Sequence, residues 1–194
     1  MRRLTALLPM LLYTVASATA QTPQGIVSIT VETSAGNIEA ELDSAHAPVT
    51  VANFLRYVDG HLFDNSEFFR TVTLANQPDN LIKIEVIQSR RARGGPSGFP
   101  AIELEPTSVT GLRHHDGTLS MARSGPNTAT DQFFVTIGEQ PELDFGGKRN
   151  ADGQGFAAFG RVTKGMDVVR QIQGGAASGQ NLMTPIKIFR IVRR

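Results

Sequence analysis

The chain has 194 residues, no cysteine and a formal net charge of +1 at pH 7. Without cysteine, neither a disulfide nor thiol chemistry can contribute to the fold or the mechanism. The near balance of charges gives no reason to expect nucleic acid or an anionic membrane as a partner. The length is sufficient for one domain that buries most of its apolar surface.

The N-terminal segment predicts a cleavable export signal. Arg2 and Arg3 precede a mostly apolar segment over residues 4–15, and small residues lead up to Ala20, as a signal peptidase site requires. The apolar segment is shorter than the ~20 residues that span a bilayer. We therefore expect cleavage after Ala20 and a single periplasmic domain over residues 21–194 that has no contact with the membrane.

The first half of the expected mature chain combines strands with one helix. Alternating and β-branched apolar residues predict a hairpin over residues 26–43. Pro48 begins a pattern of apolar residues at helical spacing that stops at Gly60, which predicts an amphipathic helix. Two further strands are predicted over residues 68–72 and 81–87, with a polar loop between them.

The second half begins with a long excursion over residues 89–115, a length that in compact domains is usually functional or mobile. A strand, a turn-rich loop and a second strand are then predicted within residues 117–135, followed by a strand over residues 156–162. An amphipathic helix ending at Gly174 and a last strand over residues 185–192 complete the chain. About eight strands and two helices without a βαβ rhythm predict a mainly β fold, namely a closed antiparallel barrel with helices at its ends.

The segment over residues 117–135 carries the first functional signal. A period of two places Gln132 and Phe134 on one side of its second strand, opposite a wholly apolar side. A buried amide without a partner costs ~1–3 kcal/mol, so we expect both residues to line a cleft. Arg70, taken alone, fits an exposed and ion-paired position on an edge strand better than a functional one. With Gln88 added, the cleft would hold one cation and two amides beside an apolar pocket, which can bind and polarise but is poorly suited to cutting bonds.

Other patterns that could carry chemistry fail on their spacing. The segment over residues 95–99 lacks the last glycine of a serine nucleophile elbow. His114 and His115 are adjacent, so on an extended chain their rings point in opposite directions and cannot share a metal. The segment over residues 150–153 lacks the downstream glutamate of a calcium loop. We therefore expect no metal and no cofactor.

The functional residues lie within an ordered series of motifs, namely Phe68-Phe69-Arg70, Gln88, residues 120–128 with Gln132-Phe133-Phe134, and residues 156–162 with 164–169. This series resembles the cyclophilins, and residues 32–38 and 48–54 are similar to those of the bacterial periplasmic ones. The resemblance covers essentially the whole expected mature chain. It implies an eight-stranded barrel capped by two helices, peptidyl-prolyl cis-trans isomerase activity, and proline-containing polypeptides as clients.

The resemblance also implies roles for individual residues. Arg70 would be the catalytic arginine, and Gln88 and Gln132 would be the amides that bind the substrate backbone. The residues implied to contact the substrate are Phe68, Val86, Ala122, Arg123, Phe134, Leu143 and Phe156. Of these, the last three would form the walls of the proline pocket.

The sequence departs from the cyclophilin pattern at three places. Glu142 stands where some relatives carry tryptophan. Phe69 replaces the histidine common before the catalytic arginine, and we expect it to face the core. An insertion that includes residues 76–81 precedes Glu85 and Val86, which occupy positions usually held by an aromatic residue and a methionine. The alternative to catalysis is therefore a proline-peptide binding or holdase module that has lost turnover through its altered wall. In either case we expect a monomer.

Overall fold

The computed structural model describes residues 25–194, so the predicted export signal and cleavage site lie outside the described residues. The strands are β1 (Ile26–Thr33), β2 (Gly36–Asp43), β3 (Ser66–Val72), β4 (Val86–Arg90), β5 (Thr118–Met121), β6 (Phe133–Thr136), β7 (Ala157–Lys164), β8 (Ala177–Ser178) and β9 (Asn181–Arg193). The helices are α1 (Pro48–Asp59), α2 (Thr107–Thr110) and α3 (Met166–Gln173). Within residues 25–194, no helix has the length and apolar character needed to cross a membrane.

Eight of the strands close into an antiparallel barrel. Their order is β1-β2-β7-β5-β6-β4-β3-β9, and pairing of β1 with β9 closes the ring. The short β8 pairs with β9 outside this ring. The predicted eight-stranded barrel is therefore confirmed, because every strand of the ring has two antiparallel neighbours and no edge remains within it.

The barrel interior is filled by aromatic and branched side chains from the strands and from α1. The ring of Phe54, on α1, lies 5.1 to 5.3 Å from the rings of Phe63, Phe133 and Phe159. All four rings are almost fully buried. Such tilted and edge-on contacts add to the stabilisation from apolar burial. Both predicted helices are present, and the single turn of α2 is an addition to them.

The excursion over residues 89–115 is attached to α1 through side-chain and backbone contacts. The carboxylate of Glu105 accepts hydrogen bonds from the backbone N–H groups of Val49 and Thr50, at 3.0 and 2.7 Å. These are first-turn N–H groups that the helix itself cannot satisfy, and a negative charge there is favoured by the helix dipole. The hydroxyl of Tyr57 also accepts a 2.8 Å hydrogen bond from the backbone of Phe99. These contacts of the excursion therefore stabilise α1.

The strand predicted over residues 81–87 begins later, at Val86. The reason is the buried side chain of Gln77, whose Nε2 donates to the carbonyl oxygens of Ile84 and Thr73 at 2.7 and 2.8 Å. Its Oε1 also accepts a hydrogen bond from the backbone N–H of Ile84 at 3.3 Å. The backbone groups of Ile84 are thus paired with an amide side chain within a loop, which removes them from the sheet.

Candidate active site

A β-bulge at Phe69 determines which way Arg70 faces. Phe68 pairs with Ser89 and Arg70 pairs with Gln88, which leaves Phe69 as the extra residue of β3. In a regular strand, Phe68 and Arg70 would share one face, because side chains alternate with a period of two. The bulge inserts one residue and so turns Arg70 to the outer face of the barrel while Phe68 stays inside.

Because of the bulge, Phe68 and Phe69 both lie elsewhere than predicted. Phe68 is fully buried in the barrel, with its ring 5.9 Å from that of Phe133, so the structure does not bring it to the candidate site. Phe69 was expected to face the core, and this prediction is wrong. It is half-buried on the outside, where the guanidinium of Arg90 lies 4.5 Å from its ring centroid.

The three polar residues predicted for the site meet on β3, on β4 and directly before β6. Arg70 pairs with Gln88 across β3 and β4, and Gln88 pairs with Phe134 across β4 and β6. Nη1 of Arg70 donates to Oε1 of Gln88 at 2.6 Å, and Nε2 of Gln88 donates to Oε1 of Gln132 at 2.9 Å. The cation and the two amides therefore form one continuous hydrogen-bonded row beside Phe134.

Gln180, which no sequence pattern selected, holds the other edge of Arg70. Both Nε and Nη2 of Arg70 donate to Oε1 of Gln180, the former at 3.0 Å. Gln180 lies in the turn between β8 and β9, next to Gly179, whose carbonyl accepts a 3.2 Å hydrogen bond from Asn76. Asn76, in the insertion before β4, thus stabilises the turn at Gly179 and Gln180, and this turn orients Arg70.

A cavity of about 240 Å³ lies beside this row and has polar and apolar walls. Its lining consists of Arg70, Ile84, Val86, Gln88, Ala122, Arg123, Phe134, Leu143, Arg149, Asn150 and Phe156. Phe134 and Phe156 meet edge-on, with ring centroids 5.3 Å apart. Six of the seven predicted substrate contacts line this cavity, and Phe68 is the exception. A smaller polar cavity of about 160 Å³ adjoins it and is lined by Gln132 together with Thr128 and Thr130.

The altered wall of the pocket remains apolar. Ile84 and Val86 are buried and form a hydrophobic cluster with Phe134 and Leu143, distinct from the interior of the barrel. Glu85, between them, does not line the cavity, and its carboxylate accepts a 3.1 Å hydrogen bond from Gln173 of α3. The insertion therefore supplies Ile84 as a new wall residue that sequence reasoning missed, because only the loop held by Gln77 brings it there.

Arg123 is a fixed wall between the two cavities. Its side chain is 1% exposed, and its Nη atoms donate to both carboxylate oxygens of Asp152 at 2.7 and 2.9 Å. The hydrogen bonds from Arg123 lower the pKa of Asp152 to about 2. Nε of Arg123 also donates to the carbonyl of Gly155 at 2.8 Å, and its guanidinium lies 5.3 Å from the ring centroid of Phe156. Because its charge is already paired, Arg123 shapes the site without adding a free cation.

A buried polar triad supports Phe134 from behind. Nδ1 of His114 lies 2.7 Å from Oδ1 of Asp144, and Nε2 lies 2.9 Å from Oγ of Ser120. The imidazole stacks on the ring of Phe134 at 6.1 Å between centroids and 14° between planes. The order of groups is that of an acyl-transfer triad. However, Ser120 is completely buried, so it has no access to a substrate. The triad therefore serves to position Phe134.

Comparison with known proteins places this geometry in a family. The family described as cyclophilin type peptidyl-prolyl cis-trans isomerase matches residues 27–193. A peptidyl-prolyl cis-trans isomerase of Streptomyces antibioticus is 36% identical over 76% of this chain and 83% of its own length. Peptidyl-prolyl cis-trans isomerase A of Dickeya dadantii is 37% identical over 72% of this chain and 67% of its own length.

Solved structures agree on the fold. A crystal structure of a cyclophilin type peptidyl-prolyl cis-trans isomerase from Cryptosporidium parvum, in the presence of the dipeptide Ala-Pro, covers 86% of this chain and 98% of that one. It superposes with a TM-score of 0.67 at 20% sequence identity. Together with the sequence relatives, the barrel and its outer pocket show that the chain belongs to the cyclophilin-type peptidyl-prolyl cis-trans isomerases.

Proposed function

We propose that the outer pocket is where this isomerase accelerates rotation about X–Pro bonds, with Arg70 as the catalytic residue. Rotation must overcome an amide barrier of ~18–20 kcal/mol, and uncatalysed exchange takes tens to hundreds of seconds. A guanidinium that donates a hydrogen bond to the prolyl nitrogen favours the twisted, pyramidal state over the planar ones. This is stronger binding of the transition state than of the ground state.

The observation that carries the proposal is how Arg70 is held. Its guanidinium has five N–H groups, of which three donate to the amide oxygens of Gln88 and Gln180. Both acceptors are neutral, and Arg70 forms no ion pair with any residue among those that the structure describes. Its orientation is therefore fixed while its charge remains available to the substrate.

The remaining site residues would hold the substrate around the rotating bond. Phe134, Leu143 and Phe156 form an apolar wall of the cavity that is suited to a proline ring. Gln88 and Gln132, at the border with the polar cavity, would hydrogen-bond the peptide backbone. With the ring and the chain fixed, only the carbonyl side of the bond would rotate.

The test is turnover of a proline peptide measured by two-dimensional exchange spectroscopy, which separates binding from isomerisation. Arg70→Ala is expected to lower kcat/KM by about ten-fold or more, on the order of 1.4 kcal/mol. Arg161→Ala is the matched control, because that arginine forms an exposed ion pair with Glu41 on another part of the barrel. Unchanged turnover in the Arg70 variant would refute this role for Arg70.

The alternative, a proline-peptide binding or holdase module, depended on Glu85 disturbing the pocket wall. Glu85 does not line the cavity, and Ile84 and Val86 take up the wall instead. This arrangement favours turnover over binding alone. The same exchange spectra distinguish the two functions, because a holdase would broaden or shift the peptide signals without increasing the exchange rate.

We also propose that the chain works as a periplasmic monomer on newly exported polypeptides. The proposal is supported by the positive, apolar and small-residue pattern of the first twenty residues. N-terminal sequencing of the protein from the periplasmic fraction is expected to begin at Gln21. Retention of the full chain in the cytoplasm would contradict export, and light scattering at a mass of two chains would contradict the monomer.

A further inference from the structure

The proline pocket contains a second arginine, Arg149, which the motifs did not select. It lies in the loop that leads into β7 and lines the same 240 Å³ cavity as Arg70. It is half-buried. Two cations thus border a cavity whose other lining residues are apolar, amide or the already paired Arg123.

Arg149 is held in place at both its backbone and its side chain. Its backbone N–H donates to the carbonyl oxygen of Glu142 at 3.2 Å. Its Nη1 donates to the carbonyl oxygen of Ile82 at 2.7 Å. Ile82 belongs to the insertion before β4, so Arg149 joins the two loops that border the pocket. A cation anchored at two points and on two loops is suited to recognition, because little side-chain freedom is lost when a ligand binds.

The positive charge at the pocket is not compensated within the site. No carboxylate lines the cavity, and Arg149 forms no ion pair among residues 25–194. The acidic residues near it in sequence have other partners. Asp152 pairs with Arg123, Asp144 contacts His114 and Arg113, and Glu142 accepts from the backbone of Lys148. Burial, and secondarily the charge of Arg149, lowers the pKa of Arg70. Both guanidinium groups line the same cavity, so an anion placed there would be attracted to two like charges.

We propose that Arg149 is a specificity-determining residue that selects proline peptides with a carboxylate next to the proline. This inference rests on the isomerase function proposed for the pocket and names a substrate class for it. The carboxylate could be an acidic side chain flanking the proline or the free end of a chain that terminates close to it. Either would present the same oxygens to the guanidinium of Arg149, for which carboxylate is a matching acceptor.

The experiment compares matched peptides that differ only in charge. One arm uses peptides that contain a single X–Pro bond and carry either Glu or Gln directly before or directly after the proline, with both chain ends blocked. The second arm uses peptides that have Gln before the proline and end at the proline, with a free or an amidated C-terminus. The efficiency kcat/KM is measured by exchange spectroscopy, and the dissociation constant by chemical-shift titration.

The expected result is a preference of about three- to ten-fold for the charged peptide in at least one arm, the range between an exposed and a partly buried ion pair. The preference should decrease at 1 M salt, where screening acts over ~3 Å. The arm in which it occurs identifies the source of the carboxylate. Equal efficiency and equal affinity for charged and neutral peptides in both arms would overturn the proposal.

Variants assign the preference to Arg149. Arg149→Gln is expected to bring the ratio of charged to neutral peptide close to one, and Arg149→Lys is expected to retain most of it. Lys148→Gln is the matched control, because it removes one neighbouring positive charge that is exposed and outside the cavity lining. A ratio that falls equally in the Lys148 and Arg149 variants would overturn the assignment.

The two proposals fail in different ways. If no peptide is turned over by the unmodified protein, the isomerase role of the pocket is wrong, and the titrations still decide whether Arg149 selects carboxylates. If all peptides are turned over without regard to charge, the isomerase role stands and the inference about Arg149 is wrong.

Discussion

Arg70 and Gln180 lie 110 positions apart in the chain, and two N–H groups of the guanidinium donate to the single side-chain oxygen of that glutamine. A neutral amide orients the guanidinium without neutralising it. A carboxylate in the same place would form an ion pair and compete with the substrate for the charge.

Gln180 is therefore expected to be a positioning residue for catalysis. Gln180→Ala should lower kcat by about five- to ten-fold, on the order of 1 kcal/mol, with a smaller effect on KM, because the arginine loses its fixed orientation. Gln180→Glu should also lower kcat, because the new carboxylate would form an ion pair with the guanidinium of Arg70. Gln171→Ala, at an exposed position of α3, serves as the control. Full activity in both Gln180 variants would contradict this role.

Ile84 is expected to contribute to proline binding through the wall that the insertion provides. Ile84→Ala should raise KM by about three- to ten-fold, and it should lower the free energy of unfolding by roughly 2–4 kcal/mol, as for other buried truncations. Ile137→Ala is a matched control, since Ile137 is similarly buried but belongs to the cluster inside the barrel. That variant should lose comparable stability and retain the KM of the original protein. An equal rise of KM in the Ile84 and Ile137 variants would show that loss of overall stability, and not loss of the pocket wall, causes the effect.

His114 is expected to be a stability determinant of the pocket. His114→Leu would leave the buried groups of Asp144 and Ser120 without their partner, so we expect the free energy of unfolding to fall by about 2–4 kcal/mol in urea denaturation. His115→Leu changes the neighbouring histidine, which is exposed and paired with the exposed Glu139, and should alter stability by less than about 0.5 kcal/mol. Similar losses of unfolding free energy in the His114 and His115 variants would show that the buried triad does not contribute specifically to stability.

The ion pair between Arg123 and Asp152 predicts a pH dependence of stability. The pKa of Asp152 is lowered from 3.8 to about 2 by hydrogen bonds from Arg123, so the pair stabilises the fold above pH 3.8. This contribution is lost as the pH falls from 3.8 towards 2, where the folded protein also takes up the proton.

Thermal unfolding from pH 2 to pH 6 checks this prediction. The Asp152→Asn variant should melt below the original protein above pH 3.8, and the two should converge near pH 2. Asp79→Asn makes the same change at an exposed loop position and should follow the original protein throughout. A constant difference between the Asp152 variant and the original protein at all pH values would contradict the assigned titration.

Local sequence was sufficient for the types of most elements and for one side of the site. Alternation and helical spacing predicted the opening hairpin, α1 and α3, because these patterns depend on residues close in the chain. A period of two placed Gln132 and Phe134 on the same face, and both lie at the candidate site. The motifs that resemble cyclophilins supplied Arg70 and Gln88, which no periodicity would have selected.

The tertiary structure decided the direction of Arg70 and the composition of the other side of the pocket. A bulge is defined by the register between two strands, so the sequence around Phe69 could not show that it turns the arginine outward. Gln180, Ile84 and Arg149 enter the site through contacts between distant loops, which leave no local pattern. Sequence by itself therefore determined which elements form, whereas the pairing of strands and loops far apart in the chain determined which charges and walls the proline pocket presents.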